Sequence, residues 1–133
     1  MEALIDTNVL VYDTIEDSVF HEEAKKTLDK LDRWLIPSVV IEEFVLVLNQ
    51  LNLKREIIGK KIDEILKSKR IEIVSIERSD LSSACISVLS EKLSFKKFND
   101  KIILSIAKRR KTHLFTFDSE LKKEGKRYGV ELI

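Results

Sequence analysis

The sequence predicts an α/β fold, with a parallel sheet wrapped by helices on both faces. Three observations predict it. Short apolar runs alternate with longer stretches of helical period along all 133 residues. The composition is 44% hydrophobic and 35% charged, with three Gly and one Pro, which describes a soluble, helix-rich chain without a disordered block. The length suits one domain, residues 1–133, able to bury a real core. Strands joined through helices imply a parallel sheet with right-handed crossovers.

The elements follow in order. Strand one covers residues 2–6, and a helix spans 18–31, where Phe20, Ala24, Leu28 and Leu31 recur at helical spacing. Arg33–Pro37 is a short buried strand, after which Ser38 caps an apolar helix running to Leu51. Residues 55–69 form an amphipathic helix with Ile58, Ile62, Ile65 and Leu66 on one face. Strand three is Ile71–Ile76, and Ser79 caps a helix from Asp80 to Leu93. Asn99 caps another that reaches Arg110. His113–Phe117 is strand four, followed by a short helix and a last strand, Val130–Ile133. The single cysteine, Cys85, shares an apolar helix face with Leu81, Ala84 and Val88 and reads as core, which leaves no disulfide or cysteine-based zinc site.

Four acids stand where such a sheet would gather them. Asp6 and Asp118 each end an apolar strand, Glu43 lies one turn into an apolar helix, and Asp100 opens another. In open parallel sheets the active site lies beyond the carboxyl ends of the strands, where strand order reverses. Each acid also has a local structural reading. Asp6 could cap a helix or make an Asx turn, and Asp118 could cap the short helix before the C-terminus. Asp100 gains from its helix N-terminus. Glu42 points about 100° away from Glu43 on the same helix, and periodicity does not choose between them. Together, however, clustered carboxylates repel one another by several kcal/mol unless a cation lies between them. A hard divalent ion suits that place.

Other chemistry is thin. Two His, His21 and His113, stand apart from any Ser or Cys constellation, so neither a nucleophilic triad nor a zinc site is expected. Three Gly cannot build a phosphate-cradling loop. An all-oxygen Mg²⁺ or Mn²⁺ site remains. No run approaches the roughly 18 apolar residues of a membrane span, and the chain opens on a strand rather than an export signal, so a cytoplasmic location is expected. Charge is uneven: residues 96–127 hold eleven basic and four acidic groups, against 13 and 19 in the rest of the chain. An acidic site beside a basic third suits a polyanion held next to a metal. The run Lys108-Arg109-Arg110-Lys111 equally reads as a solvated helix end.

The motifs Asp6-Thr7-Asn8, Pro37-Ser38-(x)4-Glu43-Phe44, Asn99-Asp100-(x)2-Ile103 and Thr116-Phe117-Asp118-Ser119-(x)-Leu121 recur here in order. Together they closely resemble the PIN domain, and in particular the small VapC-type toxins of prokaryotic toxin–antitoxin pairs. The resemblance covers the whole chain. It implies a three-layer α/β/α fold with five parallel strands in the order 3-2-1-4-5. It assigns catalysis and one or two Mg²⁺ or Mn²⁺ ions to Asp6, Glu43, Asp100 and Asp118, choosing Glu43 because Phe44 follows it. Thr7, Asn8, Ser38, Thr116 and Ser119 become supporting residues. Metal-dependent cleavage of single-stranded or loop RNA is the implied activity, with a homodimer and an inhibitory antitoxin as implied partners. Lys101, Lys108, Arg109, Arg110 and Lys111 are candidate RNA contacts. Two departures stand out: Lys101 replaces a small residue, and the loop Arg110-Lys111-Thr112 lacks a common Gly. The rival readings are a PIN-like module that binds RNA or protein without cutting, and a housekeeping RNA-processing nuclease. A phosphotransferase of similar topology would need a second Asp where Asn8 stands.

Overall fold

The computed structural model describes all of residues 1–133. Four of the five expected runs are strands: β1 (Glu2–Ile5), β2 (Arg33–Pro37), β3 (Ile71–Val74) and β4 (His113–Phe115). Ala3, Leu4 and Ile5 in β1 are wholly buried, as a strand covered on both faces requires. Between the strands lie α1 (Thr7–Thr14), α2 (His21–Lys30), α3 (Ser38–Gln50), α4 (Arg55–Lys67), α5 (Arg78–Ser90) and α6 (Phe98–Arg110). Helix α7 (Ser119–Arg127) follows β4.

All strand pairs are parallel, in the order β3-β2-β1-β4. That order fixes the layers. The chain steps from β1 to β2 to β3 in one direction, then returns across the sheet to β4. Right-handed crossovers therefore put α1–α4 on one face and α5–α6 on the other. Contacts follow this division, with α1 against α2 and α3, and α5 against α6. A contiguous cluster of 26 buried apolar residues runs through the sheet and both helical layers. Strand order reverses between β1 and β4, whose ends are in register at Ile5 and Phe115. The Asp6 N–H then donates to the Phe115 carbonyl at 3.0 Å, so the chain leaves the sheet at the switch point.

The expected fifth strand is reduced to one bridge, Leu132 beside Leu114. The Leu114 N–H donates to the Glu131 carbonyl at 2.8 Å, and the Ile133 N–H to the Leu114 carbonyl at 3.1 Å. Strand β4 is only three residues long, because Thr116–Asp118 turn away from the sheet, and it offers the C-terminus little edge to pair with. Strand three likewise stops at Val74 rather than Ile76.

Helix α1 has no counterpart in the sequence reading. Its apolar residues Val9, Leu10, Val11 and Tyr12 are consecutive, so no helical period marks it, and Asp6 becomes its N-cap rather than the last residue of strand one. Three expected caps also move. Ser38 is the first residue of α3 and makes no cap bond, with Pro37 before it. Helix α5 is capped by a reciprocal box between Glu77 and Asp80 instead of Ser79. Asn99 lies inside α6, whose N-cap is Lys97. Cys85 is half-buried rather than core, because Leu81, Ile86 and Leu89 on the same helix are exposed.

Candidate active site

Asp6 is fixed first. As N-cap of α1 it receives the Thr7 N–H on Oδ1 at 2.8 Å. Its Oδ2 accepts from Thr116 Oγ1 at 2.6 Å and Asn8 Nδ2 at 3.1 Å. Thr116 in turn accepts the Asp118 N–H at 3.1 Å. Asn8 Oδ1 accepts the Phe117 N–H at 3.0 Å, which ties α1 to the segment leaving β4. Asp118 is the N-cap of α7, and its Oδ1 accepts from the N–H groups of Glu120 and Leu121 at 2.9 and 3.3 Å. For both aspartates the capping reading holds, and it is also the device that aims the carboxylate.

Glu43 comes from the opposite wall. Its Oε2 accepts from Thr7 Oγ1 at 2.8 Å, and its Oε1 from Asn99 Nδ2 at 2.7 Å. Glu42 is exposed and faces solvent, which decides between the two glutamates. Asp6, Glu43, Asp100 and Asp118 all line one cleft of about 330 Å³, with Thr7, Asn8, Val11, Tyr12 and Val47. The cleft lies at the carboxyl ends of β1 and β4. Ser38 and Ser119 are outside its lining. Asn99, read from the sequence as a cap, is the residue that reading missed; its adjacency to Asp100 was the available signal.

The electrostatics follow from crowding. Burial raises the Asp6 carboxyl above its ordinary range; bonds from Thr116 and Thr7 oppose it, and Glu43 and Asp118 add to it. Asp100 is pushed up to about 6, by burial first and then by Asp6 and Asp118. Lys97 is the cation that opposes this rise, and it is itself paired with Glu120 at 2.6 Å. No three acidic, histidine or cysteine side chains converge closely enough to enclose an ion by themselves. The donor set is nevertheless all oxygen and negatively charged, and it opens to solvent. That fits an ion such as Mg²⁺, which binds through one or two carboxylates and keeps several waters.

The model of the PIN domain family matches residues 3–126. The chain belongs to the PIN domain family. No curated protein matches it significantly. Among solved structures it is similar to Mycobacterium tuberculosis VapC20, described as a toxin that cleaves the sarcin–ricin loop. That match has a TM-score of 0.80 at 15% identity and covers 92% of this chain and 95% of the other. It is also similar to VapBC2 of Rickettsia felis, bound to a DNA fragment from its promoter, with a TM-score of 0.71 at 20% identity over 100% and 98% of the chains. A toxin–antitoxin complex from Klebsiella pneumoniae gives a TM-score of 0.66 at 21% identity over 89% and 88%. At these identities the likeness is one of fold.

None of the five basic residues suggested as RNA contacts lines the cleft of this PIN domain. Lys101 follows Asp100 but is 3% exposed, held by Glu91 at 3.1 Å, Glu124 at 3.4 Å and the Tyr128 hydroxyl at 3.0 Å. A lysine so enclosed has no reach toward RNA. Arg109 is paired with Asp80 and Glu77, and Arg110 with Glu72. Lys108 and Lys111 are exposed. Asp100 is in the first turn of α6 and Lys108 in its last, so they lie about 12 Å apart along the axis. The run Lys108–Lys111 precedes β4 and therefore sits at the opposite end of the sheet from the acids.

Proposed function

We propose that this PIN domain is a divalent-metal-dependent endoribonuclease acting on single-stranded or loop RNA. One observation carries the reading: four carboxylates share one cleft at the switch point, and Lys97, which opposes their charge at Asp100, is already paired. Such a group is stable when a divalent cation compensates it. Asp6, Asp100 and Asp118 would hold one or two Mg²⁺ or Mn²⁺ ions. When bound, the metal supplies hydroxide near neutral pH and neutralises charge developing on the phosphate.

The chain's own groups do the rest. Glu43 has both oxygens anchored by neutral donors, Thr7 and Asn99, and each oxygen keeps a lone pair for a water. It orients that water and receives its proton. Thr116 holds Asp6 on one side and the Asp118 backbone on the other, so the two aspartates keep a fixed relation. Fold neighbours named as toxins or toxin–antitoxin complexes support a toxin role. On that reading the partners are an antitoxin and a second copy of the chain, in the cytoplasm.

The test is cleavage of an unstructured RNA panel by purified protein with Mn²⁺ or with EDTA, beside Asp100→Asn prepared identically. Metal-dependent cleavage that disappears in the variant supports the proposal. Equal cleavage by both proteins overturns it, and cleavage by neither favours a module that binds without cutting.

A further inference from the structure

With Lys101 enclosed and the run Lys108–Lys111 at the far end of the sheet, none of the five basic residues suggested as RNA contacts lines the acidic cleft. One aromatic residue does line it, and two more pack against that residue. Tyr12, one turn beyond Asn8, lines the cleft together with the four acids. Phe117 immediately precedes Asp118. Phe20 reaches over from the start of α2 and stacks on Phe117, with ring centroids 4.8 Å apart and planes 10° apart. Tyr12 meets both edge-on, at 5.2 Å from Phe20 and 5.3 Å from Phe117.

The group is fixed but not finished. The Tyr12 carbonyl is held by Ser18 Oγ at 3.1 Å and His21 Nδ1 at 2.9 Å, which secures the turn carrying Phe20. The Tyr12 hydroxyl has no partner within the chain. Phe20 is 37% exposed and its neighbour Val19 81% exposed. Of the three rings, Tyr12 lines the cleft with the four carboxylates, and Phe20 and Phe117 pack against it from outside that lining.

We propose that Tyr12, with Phe20 and Phe117, forms a base-contacting wall that receives one unpaired nucleobase of the RNA beside the attacked phosphodiester. Base stacking supplies affinity where the backbone gains little, and every base offers a face for it. The Tyr12 hydroxyl adds a hydrogen bond to the base edge. A duplex, whose bases are stacked on one another, cannot use such a wall.

This inference rests on the nuclease reading and is tested separately from it. In the Asp100→Asn protein, binding of a fluorescein-labelled single-stranded RNA is followed by anisotropy at moderate salt, for that parent and with Phe20→Ala, Tyr12→Ala or Tyr12→Phe added. Loss of one base contact weakens binding roughly five- to a hundredfold in the alanine variants, and less in Tyr12→Phe. Circular dichroism checks the fold, and Phe20→Ala, at an exposed site, serves if Tyr12→Ala does not fold. RNA carrying 5-iodouridine, photo-crosslinked to the parent, should modify the peptide of Tyr12 or Phe20. Unchanged affinity in the aromatic variants, or crosslinks mapping elsewhere on a parent that binds RNA, overturns the wall and leaves the nuclease reading standing. A parent that binds no RNA overturns the wall, while the nuclease reading stands or falls on the cleavage test.

Discussion

Removing the charge of Asp100 should stabilise the metal-free protein, because that charge is buried beside Asp6 and Asp118. The sign follows from proton binding. Between the ordinary carboxylate range and about 6, the folded protein keeps a proton that the unfolded chain has released. Stability therefore falls as pH rises through that window and stays low above it. Asp100→Asn should melt above the parent near neutral pH, and the two should converge near about pH 4 in thermal melts. Added Mg²⁺ should reverse the order by raising the parent's melting temperature more than the variant's. Lys101 gives the opposite case. The Glu124 Oε2 atom is buried without a hydrogen-bond partner, and Lys101 is the cation beside it. Lys101→Met should cost about 3 kcal/mol in urea denaturation, since it leaves a buried carboxylate uncompensated.

At the scale of elements, capping divides predictions that the sequence would merge. Asp80 is fully buried and accepts from the Glu77 N–H, from Ser105 and from Arg109. Asp80→Ala should cost about 3 kcal/mol or more, while Ser79→Ala should change stability by less than about 0.5 kcal/mol; both are read from denaturant midpoints. Helix α6 ends on Lys111 in the left-handed region, with φ 52° and ψ 46°, where a Gly is more usual. Lys111→Gly should raise stability by up to about 1 kcal/mol, the strain a side chain pays there. The missing Gly was visible in the sequence, but the strain at its replacement was not. The longer helices and the strands were legible because their apolar residues recur at fixed spacing. Helix α1 was not, since four consecutive apolar residues carry no period, and the caps were misread where Ser79 and Asn99, residue types that favour N-caps, stand within two residues of the true ones. The four acids were legible as strand-end and helix-start positions. The contacts of Asn99 and Tyr12 were not, because they are made to Glu43 and Phe117, far away in sequence.

At the scale of the whole molecule, α6 carries charges of opposite sign to the two ends of the sheet. The sequence located a basic third of the chain but not its direction, since only the fold reveals that α6 carries Asp100 at one end and Lys108 at the other. Replacing Lys108 and Lys111 together by Ala should alter cleavage kinetics less than about twofold once salt screens them, because neither exposed side chain reaches the cleft. The same separation has a kinetic side. On the nuclease reading, the exposed Lys108 and Lys111 offer an RNA strand a second place to bind, at the end of the sheet where no reaction follows. The protein then acts as its own competitor, and modest salt should speed turnover by releasing strands from the rear before higher salt slows it by displacing metal and substrate alike. A rate that rises and then falls with ionic strength, and that loses its rising limb in the Lys108, Lys111 double variant, would be the signature of an enzyme that attracts its substrate from behind.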